Sequence, residues 1–286
     1  MSSQNIDQSQ NINNIITALQ TCLTNYPTYN ILTQFQNSLR AELLKTQKNS
    51  ILHKGQKYFS QNEEDGITLE ILRRMDLLNT STQKNFIEFG VGNGLENNSL
   101  ILLMHGYKGV WIGNENLAIN IEKSKRLHYI KTWLTLENMN EVFSNCINYL
   151  NSLNIDVLSM DLDGNDIYFI NFFLLSNCLP KVIIAEYNAK FPPPVEFTID
   201  YDGNHNFNSD YMGASLQSLV NLLSAQYTLV ACNITGSNSF FIRNDFKDKF
   251  SDIPTDINEL FMPANYGIVT KVGHPVSPRT VENFIK

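Results

Sequence analysis

A strand that runs straight into three closely spaced glycines constrains this chain more than any other feature. Asn85-Phe86-Ile87-Glu88-Phe89 is apolar enough for a buried strand. Gly90-Val91-Gly92-Asn93-Gly94 follows at once, and Asn98 to His105, with Leu100, Ile101, Leu102 and Leu103 in a row, reads as a buried helix. Strand, tight turn and helix enclose a pocket. Glycines at 90, 92 and 94 remove side chains where a ligand must reach the backbone, and Glu88 can accept hydrogen bonds from hydroxyl or ammonium groups. The spacing separates two nucleotide-binding turns. G-x-G-x-x-G counted from Gly90 needs a third glycine where Leu95 stands, so the dinucleotide pattern fails and E-x-G-x-G-x-G is what is present.

The chain has 286 residues, 43% of them apolar, enough for a full core in one large domain or two small ones. Its formal charge of -7, without a run of Lys and Arg, argues against nucleic acid or an anionic membrane and favours a small or neutral molecule as partner. Cys22, Cys146, Cys178 and Cys232 form no C-x-x-C pair, so buried thiols in a reducing compartment are expected rather than a zinc site or disulfides. There is no basic-then-apolar leader, and no apolar run approaches the roughly 20 residues of a membrane span, so a cytoplasmic protein is expected.

Residues 1–10 are polar and read as a disordered tail. Over 11–55, Ile15, Ile16, Leu19 and Leu23 keep a helical period, Pro27 interrupts it, and Ile31, Leu32, Phe35, Leu39, Leu43 and Leu44 resume it. This helical extension suits a packing cap or the interface of a homodimer. The main domain is expected over 56–286. Ser60-Gln61-Asn62-Glu63 fits a capping box before a helix. Gly109 to Gly113 is a second strand. Glu115 follows Gly94 at about the 20-residue spacing that places a carboxylate on a ribose, so Glu115 is expected there. Tyr129 to Leu136 supplies a third strand, and Thr135 and Asn138 fit an ordinary helix start.

Asp156 to Asp166 is an apolar strand that ends in Asp161, Asp163 and Asp166. Like charges so crowded repel. A fold keeps them as a solvated turn, or because a sulfonium, a divalent cation or several N–H groups lie between them. Pro180 to Asn188 is a fifth strand tipped by Glu186, Tyr187 and Asn188. In a parallel doubly wound sheet the carboxyl ends of the strands face one crevice, so Glu88, Glu115, Asp161, Asp163, Glu186 and Asn188 should converge. Phe191 to Tyr211, stiffened by three consecutive prolines, reads as a lid. It carries His205, a candidate general base; Tyr187, Tyr201, Asp210 and Tyr211 are alternatives for aligning an acceptor. Tyr227 to Ala231 and Ser239 to Ile242 alternate as antiparallel strands, and 246–286 should wrap the surface.

Five runs together resemble one family: S-Q-x-x-E-D at Ser60, E-x-G-x-G-x-G at Glu88, D-L-D-G-N-D at Asp161, E-Y-N-x-x-F-P-P at Glu186 and G-x-N-x-F-F-x-R at Gly236. Over about residues 56 to 245 the chain resembles class I methyltransferases that use S-adenosylmethionine, in the subgroup related to the FkbM type. The resemblance implies an α/β Rossmann-like doubly wound sheet, mostly parallel, with an antiparallel closing hairpin. It implies cofactor contacts from Gln61, Asp65, Glu88, Gly90, Gly92, Gly94, Asn114, Glu115 and Asp161, with Thr135 and Asn138 on the adenine side. Catalytic roles fall to Asp161, Glu186, Tyr187 and His205. Methyl transfer to a hydroxyl of a sugar, nucleotide-linked intermediate or natural product is implied, less so to a nitrogen. Similar folds place magnesium on such strand ends, here Asp161, Asp163, Glu186 or Asn188; oxygen donors suit magnesium, manganese or calcium rather than zinc. The competing readings are a non-catalytic cofactor-binding subunit and an NAD-dependent oxidoreductase, the latter disfavoured by Leu95.

Overall fold

The computed structural model describes residues 26–79, 84–205, 209–268 and 275–286, with side chains from residue 34 onward. The expected tail over 1–10, the first helix of the extension and Cys22 lie outside these residues. The chain forms two compact units, Met1–Lys45 and Thr46–Lys286. The division falls before residues 46–55 rather than after them. Asn49, Ile51 and Leu52 are buried, and the Asn49 side-chain amide donates to the Val230 carbonyl at 2.7 Å, so this stretch belongs to the sheet unit.

Helix α1 (Tyr26–Thr46) begins at the proline expected to interrupt it. Pro27 sits in the first turn, where its missing N–H removes nothing, because the first N–H groups of a helix have no intrahelical partner.

The second unit is built on seven strands: β1 (Asn85–Phe89), β2 (Lys108–Gly113), β3 (Leu127–Lys131), β4 (Val157–Met160), β5 (Val182–Glu186), β6 (Tyr227–Cys232) and β7 (Asn238–Arg243). Their order is β3-β2-β1-β4-β5-β7-β6. The first five are parallel, and β7 runs antiparallel to both β5 and β6. The expected doubly wound, mostly parallel sheet with a closing antiparallel hairpin is therefore what forms. Strands β1 and β4 are buried throughout, as parallel strands covered on both faces must be. The covering helices are α2 (Glu64–Arg74), α3 (Leu100–Met104), α4 (Leu136–Leu150), α5 (Asp166–Leu175) and α6 (Leu216–Leu223).

Two local expectations are corrected. The capping box before α2 does not form: the Ser60 hydroxyl accepts from the Asp65 amide at 3.3 Å, and the Glu63 carboxylate accepts from Ile234 N at 2.5 Å across the fold. The third strand stops at Lys131, which leaves residues 132–134 free to shape the crevice. The C-terminal stretch carries two short helices, α7 (Ile257–Leu260) and α8 (Pro278–Phe284), seated by buried Leu260, Met262 and Val281. No helix among the described residues is long and apolar enough to cross a membrane. Cys146, Cys178 and Cys232 are buried free thiols.

Candidate functional site

Chain direction reverses between β1 and β4: from β1 the chain moves outward to β2 and β3, then returns to lay β4 on the other side of β1. Such a switch point opens a crevice at the carboxyl ends of the strands. Gly90 forms its floor with φ +85°, and a Cβ there would stand 1.4 Å from the Asp161 carbonyl oxygen. This glycine exists for the passage of β4 as much as for a ligand. Gly90 N and Val91 N both donate to Ile112 O, at 3.0 and 3.1 Å, which pins the turn to the end of β2. At Gly92 an added Cβ would meet only the Glu115 carboxylate, at 3.9 Å.

A cavity of about 310 Å³ fills the crevice. The glycine turn, the end of β2 with Asn114 and Glu115, Trp133 and Leu134 after β3, Asp161 and Asp163 after β4, and His205 all border it. Five of the residues singled out as cofactor contacts are thus together at one cavity: Gly90, Gly92, Asn114, Glu115 and Asp161.

The other candidates are placed elsewhere, each for a visible reason. Glu88 is buried and turned into the start of α3, accepting from Asn98 N at 2.9 Å, Ser99 N at 3.2 Å and the Ser99 hydroxyl. Burial pushes its carboxyl up to about 7, against the pull of those donors. Gly94 is not on the cavity wall; its φ is +83°, and a Cβ would lie 3.0 Å from the Trp111 ring. Asp65 is buried and accepts from the amides of Tyr58, Phe59 and Ser60 at 2.6–2.8 Å, so it folds its own loop. The Gln61 side chain is exposed. Thr135 and Asn138 form the reciprocal capping box of α4. The cavity wall after β3 is instead Thr132, Trp133 and Leu134, which the sequence reading assigned to a strand. Trp133 was the missed signal, an aromatic just past a strand end.

At the ends of β4 and β5, one oxygen each from Asp161, Asp163 and Glu186 lies within 4.8 Å of the others. Burial and the neighbouring negative charges, Asp166 and Asp163 foremost, hold the Asp161 carboxyl well above the usual range; burial and then Asp161 do the same to Glu186. Asp166 does not join the trio, because its oxygens accept from Leu162 N at 2.8 Å and Gly164 N at 3.0 Å and close the β4–α5 turn. Asn188 is not part of it either. Its amide donates to the Asp210 and Met212 carbonyls and anchors the lid. Tyr187 is buried and donates to the Met262 carbonyl at 2.6 Å. Asp210 pairs with Lys190, Tyr201 OH accepts from Leu136 N at 2.7 Å, and Tyr211 OH accepts from Asp200 N at 3.1 Å.

His205 packs where Gly164 leaves room: a Cβ on Gly164 would stand 2.5 Å from the imidazole Cδ2. Its Nε2 is buried with no hydrogen-bond partner, and so is Glu186 Oε2. His205 lines the cavity and Glu186 belongs to the carboxylate trio, and an unpaired buried polar atom at such a place invites a ligand.

No protein-family model matches the chain, and no curated protein matches it. Among solved structures, a Plasmodium falciparum protein provisionally assigned as a ribosomal RNA methyltransferase is similar to it over 64% of this chain and 96% of its own. The identity is 10% and the TM-score 0.38, too low to carry an inference.

Proposed function

We propose that this chain is an S-adenosylmethionine-dependent methyltransferase acting on a hydroxyl oxygen of a small molecule. The observation that carries the reading is the meeting of the glycine turn, Glu115 and Asp161 at one cavity beside a trio of carboxylates. The residues fit the cofactor. Gly92 leaves backbone bare opposite Glu115, whose two oxygens suit a ribose diol, and Trp133 and Leu134 offer an apolar wall for a base. Carboxylates pushed towards neutrality by one another gain from a positive guest, which restores their ionisation. S-adenosylmethionine when bound supplies an electrophilic methyl group on a cationic sulfur. This chain's own residues then align the acceptor and exclude water, effects of roughly 7–11 kcal/mol in favourable cases. An acceptor hydroxyl must also lose a proton, and the unpartnered His205 Nε2 in the cavity wall is the base in this reading.

The trio also fits a hard divalent cation. Asp161, Asp163 and Glu186 would hold magnesium or manganese, which would polarise an acceptor oxygen.

Calorimetric titration tests the assignment: S-adenosylmethionine and S-adenosylhomocysteine should bind with one site per chain, and NAD should not. Glu115→Ala should weaken binding about tenfold or more, as loss of a bidentate charged contact does. Failure of both sulfur nucleotides to bind, or binding of NAD in their place, would remove the proposal. With binding established, transfer of label from the methyl-labelled donor to a hydroxylated acceptor separates an enzyme from a cofactor-binding subunit.

A further inference from the structure

The mouth of the cavity is bridged. The segment Ile199 to His205 leaves the lid, crosses from one lip of the crevice to the other, and is tied to both by hydrogen bonds that belong to no helix or strand. On the β4–α5 lip, Asn165 Nδ2 donates to the Asp202 carbonyl at 2.8 Å, Asp202 N donates back to Asn165 Oδ1 at 3.3 Å, and Tyr168 OH donates to the Ile199 carbonyl at 2.7 Å. On the β3–α4 lip, Trp133 Nε1 donates to the Gly203 carbonyl at 2.7 Å, and Tyr201 OH accepts from Leu136 N at 2.7 Å. Trp133, Asn165 and His205 also line the cavity, so the crossing segment forms part of its wall.

We infer that Ile199 to His205 is a clasp that must unfasten for a nucleoside-type ligand to enter or leave the cavity. Three features make it removable. Its ties are a few hydrogen bonds, a reciprocal pair at Asn165 and one each at Tyr168, Trp133 and Leu136 N, each bond worth little net against water. Trp133 is 49% exposed, so the tie on that lip opens directly into solvent. The bridge's ladder attachment is confined to its start, where Thr198 pairs with Ala214 and Ile199 N donates to the Gly213 carbonyl at 3.2 Å, so Ile199 is the fixed end. His205 travels with the clasp, so fastening it also brings the imidazole against Gly164.

A gate has a kinetic signature that a binding contact lacks. Where the closed form dominates with and without ligand, loosening it raises the association and dissociation rates together and leaves the affinity alone. Tyr201→Phe is the variant of choice, because it deletes one tie and Tyr201 does not line the cavity. Stopped-flow binding of S-adenosylhomocysteine, followed by Trp133 fluorescence, should show both rates raised about three- to tenfold, with Kd within about twofold of wild type. A rise in the dissociation rate alone, or no change in either, overturns the clasp. This arm rests on the methyl-donor reading. If S-adenosylhomocysteine does not bind the wild type, that reading fails and hydrogen exchange decides the clasp by itself. The Leu136 and Asp202 amides should then exchange together, well ahead of the β1 and β4 amides, and faster in Tyr201→Phe. Exchange of these two amides only with global unfolding would show a fixed bridge and overturn it.

Discussion

Glu88 and Glu115 both stand at the carboxyl ends of parallel strands, yet they face opposite tasks. Glu88 is consumed by the amides that open α3, while Glu115 stands beside Gly92 on the cavity wall. The difference has a measurable consequence. Burial raises the Glu88 carboxyl from 4.5 to about 7 in the folded protein. Between those values the folded state holds a proton that the unfolded state has released, so stability is fully present below the lower value and falls as pH rises through the upper one. The loss attributable to Glu88 is at most about 3 kcal/mol. Urea unfolding from pH 4.5 to 8 should show Glu88→Gln with a shallower decline than wild type; an equally steep decline would clear Glu88 of responsibility. Gly92 makes the complementary prediction. Its missing Cβ faces the cavity and the Glu115 carboxylate, so Gly92→Val should abolish binding of S-adenosylmethionine in calorimetry while leaving the unfolding free energy from urea titration within about 0.5 kcal/mol of wild type, as for a change that meets no core side chain.

At the scale of elements, the β1–α3 turn and the lid are held by different devices. Gly90 is held in the left-handed region with the Asp161 carbonyl where a Cβ would be, so Gly90→Ala forces β1 and β4 apart. The backbone conformation alone costs about 1–2 kcal/mol, and overpacking adds about 1–3. Thermal unfolding should therefore place Gly90→Ala far below Gly92→Val, though the two glycines are two residues apart. The base of the lid depends on Ser215, which caps α6 by accepting from Ser218 N at 3.2 Å and also accepts from Phe197 N at 3.1 Å while donating to the Val195 carbonyl at 2.8 Å. Ser215→Ala should cost about 1–2 kcal/mol, the upper part of the range for a lost cap. A denaturation midpoint indistinguishable from wild type would show that these bonds are replaced by water.

For the whole molecule, the carboxylate trio joins the ends of β4 and β5, so a cation held there would be coupled to the stability of the entire sheet. A ligand present at about a hundred times its Kd stabilises by about 2.7 kcal/mol. Manganese at that excess should raise Tm in wild type and not in Asp161→Asn, with calcium a weaker competitor; an equal rise in both proteins would place the ion elsewhere. The two compact units make a further prediction. A chain beginning at Thr46 contains every residue of the cavity and of the clasp, so it should bind S-adenosylhomocysteine with a Kd within about twofold of the full chain, as independent units do. Loss of binding on removal of Met1–Lys45 would show that the first unit contributes to the site.

What the sequence determined by itself is what short-range physics writes down. Apolar runs of strand length, the glycines of the turn and the polar tips of β4 and β5 each depend on neighbours a few residues away, and from them the doubly wound sheet and the crevice at its carboxyl edge could be read. The convergence of Glu115, Asp161, Asp163 and Glu186 on that edge follows from strand direction alone. What the tertiary structure decided is which polar groups remain free there. Glu88, Asp65, Asn188, Thr135 and Asn138 have the same chemistry as the residues that line the crevice, but each is taken up by backbone amides or carbonyls. Several of those partners stand ten or more residues away, and no spacing rule records them. A buried backbone N–H or carbonyl must be paired, and the side chain nearest in space satisfies it, so only the folded chain could separate groups that hold the structure from groups left to meet a ligand.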